Sequence, residues 1–258
     1  VLSIRDCLSI QAHPDKRLAG QLHAENPNAY KDDNHKPEMC VALTPMEAMG
    51  GFRDLATIRL HLDLYPEFAA ILSTHALELL TADAAQHGVA TRERPPPAVD
   101  PRADLLACAA AREAPDDATR GALREMLKSF VTADDELVDA QLGALLARVR
   151  AAERRPSASQ RALHALIGRL GAQFPGDRGA MAPLFLNVIQ LQPGEAFFMA
   201  ANEPHAYISG ECIEAMACSD NVVRLGLTPK FKDVPTLCAM LTYTAGNPVI
   251  VNGKKIDS

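Results

Sequence analysis

Twice along this chain of 258 residues the spacing of the apolar side chains changes: from strand-like alternation to helical spacing after Gly50-Gly51, and back to alternation near Pro183. A strand sends successive residues to opposite faces, whereas a helix returns to the same face about every 3.6 residues, so one pattern cannot be buried by the other element. The chain is therefore expected to be mainly β with an all-helical insertion: strand-rich at 1–55, helical at 56–181 and strand-rich again at 182–235. In the second strand-rich part, short apolar runs are separated by turns such as Pro193-Gly194, Asn202-Glu203-Pro204 and Ser219-Asp220-Asn221, which indicates an antiparallel sandwich or barrel. Gly210 is expected to break the strand that His205 opens.

Within the helical part, Phe68, Ile71, Leu72, Ala76, Leu79 and Leu80 form one apolar stripe. A second comprises Leu123, Met126, Leu127, Phe130 and Val131, and a third Leu137, Val138, Leu142, Leu145, Leu146 and Val149. Ser157 and Gln160 have the spacing of a capping box ahead of a further helix with Leu163, Leu166, Ile167 and Leu170. Arg94-Pro95-Pro96-Pro97 and Ala114-Pro115-Asp116-Asp117 read as breaks between helices. The histidines here, His61, His75, His87 and His164, read as surface or packing residues.

The most informative strand is Ser9-Ile10-Gln11-Ala12-His13, ended by Pro14. Ser9, Gln11 and His13 share one face; Leu8, Ile10 and Ala12 share the other, apolar one. From Asp15 to Asn34 the sequence is polar and rich in turn residues, a surface excursion. A second strand follows, with Lys36, Glu38, Cys40 and Ala42 on one face. Gln11, His13, Glu38 and His205 make a candidate metal set: neutral imidazoles and a carboxylate suit zinc or another divalent first-row metal, and a glutamine oxygen is a weaker, harder ligand. By residue type alone the competing readings are a solvated strand edge for Gln11 and His13, a water-facing charge for Glu38, and His35 as a rival ligand, although its face is opposite to that of Glu38.

Composition narrows the class. Hydrophobic residues at 48% and charged ones at 22% are ordinary for a soluble globular protein, and no apolar run reaches bilayer-spanning length. The start carries no signal-peptide plan, which makes the cytoplasm the default location. A formal charge of -6 argues against nucleic acid as a partner. The six cysteines, with no C-x-x-C pair among them, read as reduced core residues.

The segments LSIQAHPDK, YKDDNHKPEM, ALTPMEAMGGFR, ANEPHAY and IEAMACSDNVVRLGLTPKFKDV, in this order and with the Pro-Gly turn between them, resemble the type I mannose-6-phosphate isomerases, a family of zinc-dependent phosphomannose isomerases. The resemblance implies a cupin-type jelly roll interrupted by a helical domain, with 236–258 as the start of a second cupin-like domain. It implies one zinc per chain on Gln11, His13, Glu38 and His205, an active-site arginine at Arg224, and a monomer that supplies mannose for GDP-mannose and glycosylation. The substrate is then a small sugar phosphate, with no nucleic acid or membrane as partner.

Aldose–ketose interconversion moves a proton between adjacent carbons through an enediol, so the site needs a base and a stabiliser for an oxyanion. Glu214 is the leading candidate for the base, and Arg224 for the anion. Ser9, Lys36 and Lys230 are candidate sugar-phosphate contacts, and Tyr207 either bonds a sugar hydroxyl or fills the wall. Two other readings stay open: a metal-dependent cupin enzyme of another kind, such as an iron oxygenase, and a non-catalytic metal- or sugar-binding cupin. The family's leading strands and most of its C-terminal cupin have no counterpart in this sequence, so the chain reads as a fragment and by itself is expected to be a poor enzyme.

Overall fold

Strand β7 (His205–Met216) organises the sheet. Its first half pairs with β2 (Ile10–Ala12) and β4 (Met46–Phe52), and its second half with β1 (Leu2–Ile4) and β3 (Glu38–Ala42). Beyond these, β5 (Leu186–Leu191) pairs with β4, β6 (Glu195–Met199) with β3, β8 (Val223–Gly226) with β2, and β9 (Ile250–Asn252) with β6. Every pairing between these strands is antiparallel, and the main path runs β5-β4-β7-β3-β6-β9. The computed structural model describes residues 1–82, 116–151 and 157–252.

Gly210 does not end β7, as expected from sequence; it bends it. Its φ of 111° lies where only glycine is unstrained, and a Cβ there would sit 2.8 Å from both the Pro45 carbonyl oxygen and the Met46 Cα. The ladders continue on both sides because the bend passes the strand from one group of partners to the other, as corner strands do. Before the bend both faces are covered, with His205, Ala206, Tyr207 and Ile208 all buried; past it only Cys212 is buried and Ile213 is turned to solvent.

Among the described residues the α-helices are α1 (Lys16–Glu25), α2 (Leu55–Leu64), α3 (Pro66–Ala70), α4 (Thr74–Ala82), α5 (Asp117–Thr132), α6 (Asp135–Ala151), α7 (Ala158–Gln173) and α8 (Val234–Met240). Helix α1 corrects the reading of 15–34 as a plain excursion: Asp15 caps it by accepting from Leu18 N–H, and Ala19 and Leu22 are buried beneath it. The capping box of Ser157 and Gln160 is formed at the start of α7. The expected apolar stripe from Phe68 to Leu80 is shared by two helices, α3 and α4, with the chain turning at Ile71–Ser73. Leu8, expected on the apolar face of its strand, is 44% exposed, while Ile10 and Ala12 are fully buried.

Rings from both parts of the chain join the helices to the sheet. Phe185, just ahead of β5, contacts Phe52 of β4, Phe68 of α3 and Phe130 of α5 with centroids 6.5, 5.9 and 4.8 Å away, and Phe52 stacks on Tyr243 at 5.5 Å. Such pairs contribute about 0.5–1.5 kcal/mol each beyond their buried area, which ties the insertion firmly to the sheet.

Cys7, Cys40 and Cys212 are free and buried, as expected of core residues, whereas Cys218 is exposed. Cys108, His87, the Arg94-Pro95-Pro96-Pro97 break and the first half of the Ala114–Asp117 turn lie outside the described residues. The segment expected to open a second cupin-like domain contributes α8 and β9, and β9 joins this sheet through β6. Among the described residues no helix is long and apolar enough to cross a membrane.

His61 packs as expected, with its Nδ1 2.7 Å from the Leu184 carbonyl oxygen and its ring edge-on to Tyr65. Burial pushes its pKa down to about 4, assisted by the nearby Arg53 charge. In the unfolded chain the same imidazole titrates near about 6.5. Between these values the unfolded chain binds the proton and the folded chain does not, so stability rises with pH across the window and is lost as pH falls through it, by up to roughly 3 kcal/mol. Urea denaturation from pH 4 to 7 is expected to show this slope, and His61→Gln to flatten it.

Candidate metal centre

Three strands bring one ligand each to a common point. Glu38 opens β3, His205 opens β7, and His13 follows β2. All three side chains are buried, at 1–2% exposure, and their ligand atoms lie within 4.8 Å of one another. His13 Nε2 stands 3.3 Å from Glu38 Oε1, and His205 Nε2 stands 3.2 Å from Oε2.

The other ring nitrogens fix the tautomers. His13 Nδ1 is 2.6 Å from the Asn221 carbonyl oxygen, and His205 Nδ1 is 3.0 Å from that of Glu203. A carbonyl can only accept, so each Nδ1 carries hydrogen and donates, and each neutral ring presents a bare Nε2 lone pair to a carboxylate oxygen. Among the described residues, neither Nε2 and neither Glu38 oxygen has a hydrogen-bond partner. Facing lone pairs in a buried site repel unless a cation lies between them, and two imidazole nitrogens with a carboxylate are a donor set that suits zinc. The residues thus fit a divalent metal by their orphaned atoms as well as by type.

Burial pushes the Glu38 carboxyl up, but a positive charge at this point, such as His13 and His205 carry when protonated, outweighs it and holds the carboxyl well below the usual carboxylate range. The Lys36 ammonium is 3.0 Å from Oε1, within ion-pair distance but outside hydrogen-bond geometry. Glu38, Cys40 and Ala42 share the buried face of β3, as the alternation requires.

Gln11 lies directly opposite His205 on one side and Arg224 on the other, so the three side chains share a face across β7, β2 and β8. Ser9 Oγ donates to Gln11 Oε1 at 3.4 Å. Arg224 is half-buried, and its guanidinium makes no hydrogen bond or ion pair among the described residues. Glu214 is opposite Cys40, one diagonal step from Glu38. The buried Tyr207 hydroxyl has no hydrogen-bond partner of good geometry among the described residues; burial, with the Cys40, Glu214 and Glu38 charges, pushes its phenol far up, which keeps it protonated. Lys230 lies on the exposed turn after β8 and makes no hydrogen bond or ion pair with this group, and His35 is not among the convergent ligand atoms.

Sequence reasoning missed the groups that hold the histidines. Besides the two carbonyls, Asn202 N–H donates to the His13 carbonyl at 2.8 Å, while the Asn202 and Asp15 side chains bond each other at 2.9 Å. The turns Asn202-Glu203-Pro204 and Ser219-Asp220-Asn221 were legible as turns, but nothing in their residue types points to a histidine ring. Beside His205 a small recess of about 70 Å³ opens between Gly50-Gly51, Met199, Glu203 and Thr244.

The sequence profile of the phosphomannose isomerase type I catalytic domain matches residues 1–55, and that of the helical insertion domain of the same family matches 101–186. Mannose-6-phosphate isomerase from Bos taurus is 40% identical over 95% of this chain and 51% of its own length. The enzyme from Cryptococcus neoformans is 43% identical over 95% of the chain and 54% of its own length. The chain thus spans about half the length of the curated relatives it matches. A crystal structure of mannose 6-phosphate isomerase bound with zinc and yttrium superposes with a TM-score of 0.69 at 29% identity, covering 95% of this chain and 54% of that one. The curled antiparallel sheet with its helical insertion matches the cupin fold of these structures.

Proposed function

Because the chain belongs to the type I phosphomannose isomerase family, we propose that the protein interconverts mannose 6-phosphate and fructose 6-phosphate at the His13–Glu38–His205 centre. The observation that carries this reading is the buried trio of ligand atoms with no hydrogen-bond partners, in a chain with these relatives. His13, Glu38 and His205, with Gln11 beside them, would hold zinc. Bound there, zinc supplies a Lewis acid that polarises a carbonyl oxygen.

The remaining chemistry falls to side chains around this point. Arg224, which makes no ion pair among the described residues, binds the oxyanion that develops on the substrate, or its phosphate, with a two-pronged fork. Glu214, on the same wall as Glu38 and near Tyr207, moves the proton between the two carbons. Tyr207 stays protonated and donates a hydrogen bond to a sugar hydroxyl or to Glu214. Ser9 and Lys36 contact the sugar phosphate, and Lys230, on its exposed turn, adds charge for the phosphate end. In this reading the protein works as a monomer in the cytoplasm and supplies mannose for GDP-mannose and glycosylation.

The test is a coupled assay of fructose 6-phosphate formation from mannose 6-phosphate by the full protein. Activity that a chelator abolishes and zinc restores is the expected result. Zinc binding without turnover would leave a binding cupin, and iron-dependent oxygen consumption a different cupin enzyme; either outcome rules out the isomerase reading.

A further inference from the structure

The imidazole of His13 is steered by a second layer of contacts that joins two loops distant in sequence. Asn221, 1% exposed, directs its side-chain amide at the loop before β3: Nδ2 donates to the Asp32 carbonyl at 2.7 Å and the Asn34 carbonyl at 3.2 Å, and lies 3.3 Å from Asp32 Oδ1. The two loops are fastened at several further points. Asp220 N–H donates to Asp32 Oδ2 at 2.9 Å, Ser219 Oγ to the Asn34 carbonyl at 3.0 Å, and Asn34 Nδ2 to the Cys218 carbonyl at 2.8 Å. Behind Asn221, β8 is in register with β2, with Val223 opposite Ala12, the neighbour of His13. The Asn221 peptide is thus fixed from both sides, and its carbonyl oxygen is 2.6 Å from His13 Nδ1.

We infer that Asn221 is a positioning residue for the metal centre: clamped by Asp32 and Asn34, it holds its carbonyl where it sets the tautomer and ring direction of His13, and thereby how tightly the centre retains its metal. The inference rests on the zinc reading given above. A neutral imidazole has two tautomers, and only the one with hydrogen on Nδ1 leaves Nε2 bare toward Glu38. A carbonyl held rigidly at Nδ1 selects that form before metal arrives. An asparagine is required because its side chain must donate to two half-buried carbonyl oxygens, which alanine cannot do and an aspartate would repel. Groups that orient metal-binding histidines in this way typically govern affinity by about 10- to 100-fold.

The experiment compares the full protein with its Asn221→Ala, Asp32→Asn and His13→Ala variants. It measures zinc affinity by competition with a chromogenic chelator, the visible spectrum after cobalt(II) substitution, and the thermal midpoint of the metal-stripped protein. Asn221→Ala is expected to weaken zinc binding about 10- to 100-fold and to alter the cobalt spectrum, with the stripped midpoint little changed. Asp32→Asn is expected to act in the same direction and less strongly, and since it keeps the size of the side chain it decides the matter if Asn221→Ala does not fold. Unchanged affinity and spectrum in both, with metal lost from His13→Ala, would overturn the positioning role and leave the zinc reading intact. A fall in stripped midpoint with an unchanged cobalt spectrum would also overturn it, as general loosening. Full zinc in His13→Ala would remove the zinc reading, and this inference with it.

Discussion

Glu38→Gln is expected to empty the centre, leaving less than about a tenth of the wild-type zinc per chain after dialysis and activity reduced in proportion. The substitution keeps the size of the side chain and removes its charge. In the wild type, two buried imidazole nitrogens converge on the carboxylate at 3.3 and 3.2 Å, and it is the anion of the trio. Outer partners of metal ligands already cost about 10- to 100-fold in affinity when lost, so the one charged ligand removed from the site should cost more. The same substitution relieves the metal-free protein. A glutamine amide can donate to one of the bare ring nitrogens, whereas the carboxylate only opposes lone pairs to them. The metal-stripped variant should therefore melt no lower than the stripped wild type while failing to gain stability from added zinc. Metal analysis with paired thermal melts checks both halves. Full zinc in the variant would show that Glu38 is not a ligand.

Arg224→Lys is expected to lower the turnover number by about 10²–10³-fold with zinc content and thermal midpoint unchanged. The guanidinium stands on β8 across from Gln11, on the face that carries His205, and has no partner within the described chain. Lysine keeps the charge but replaces a planar fork with a point charge on a flexible stem, so two parallel hydrogen bonds to one anion are lost. If those bonds strengthen as charge develops on the substrate, kcat and kcat/KM fall together. A rise in KM alone would move Arg224 to ground-state binding of the phosphate. Either outcome is read from steady-state kinetics on zinc-loaded protein.

Much of this was legible in the residues because local burial has a period. The alternation that put Glu38 with Cys40 and Ala42 needs only strand geometry, and the three residues are buried as a set. The Ser157–Gln160 box needs only four consecutive residues and formed as read. Where the local signal was mixed, the reading failed. The segment after Asp15 holds a helix because Leu18, Ala19 and Leu22 find a core to pack on, which its polar composition concealed. The stripe through Phe68 and Leu80 has helical spacing on both sides of a turn, and spacing alone cannot show the turn.

By itself the sequence determined the class of the fold, mainly β with a helical insertion, and the residue types from which a metal site is built. Only the tertiary structure decided that the site's atoms meet. His13, Glu38 and His205 converge because β7 bends at Gly210 and pairs with β2 before the bend and β3 after it, a register set by contacts between residues far apart in the chain. It also decided which ring nitrogens face inward, since backbone carbonyls of Asn221 and Glu203 make that choice and every residue has a carbonyl. It brought Lys36 to Glu38 and left Lys230 on an exposed turn, although both are lysines beside a strand. Periodicity records which side of an element is buried; which partners lie across that side depends on how the whole sheet closes.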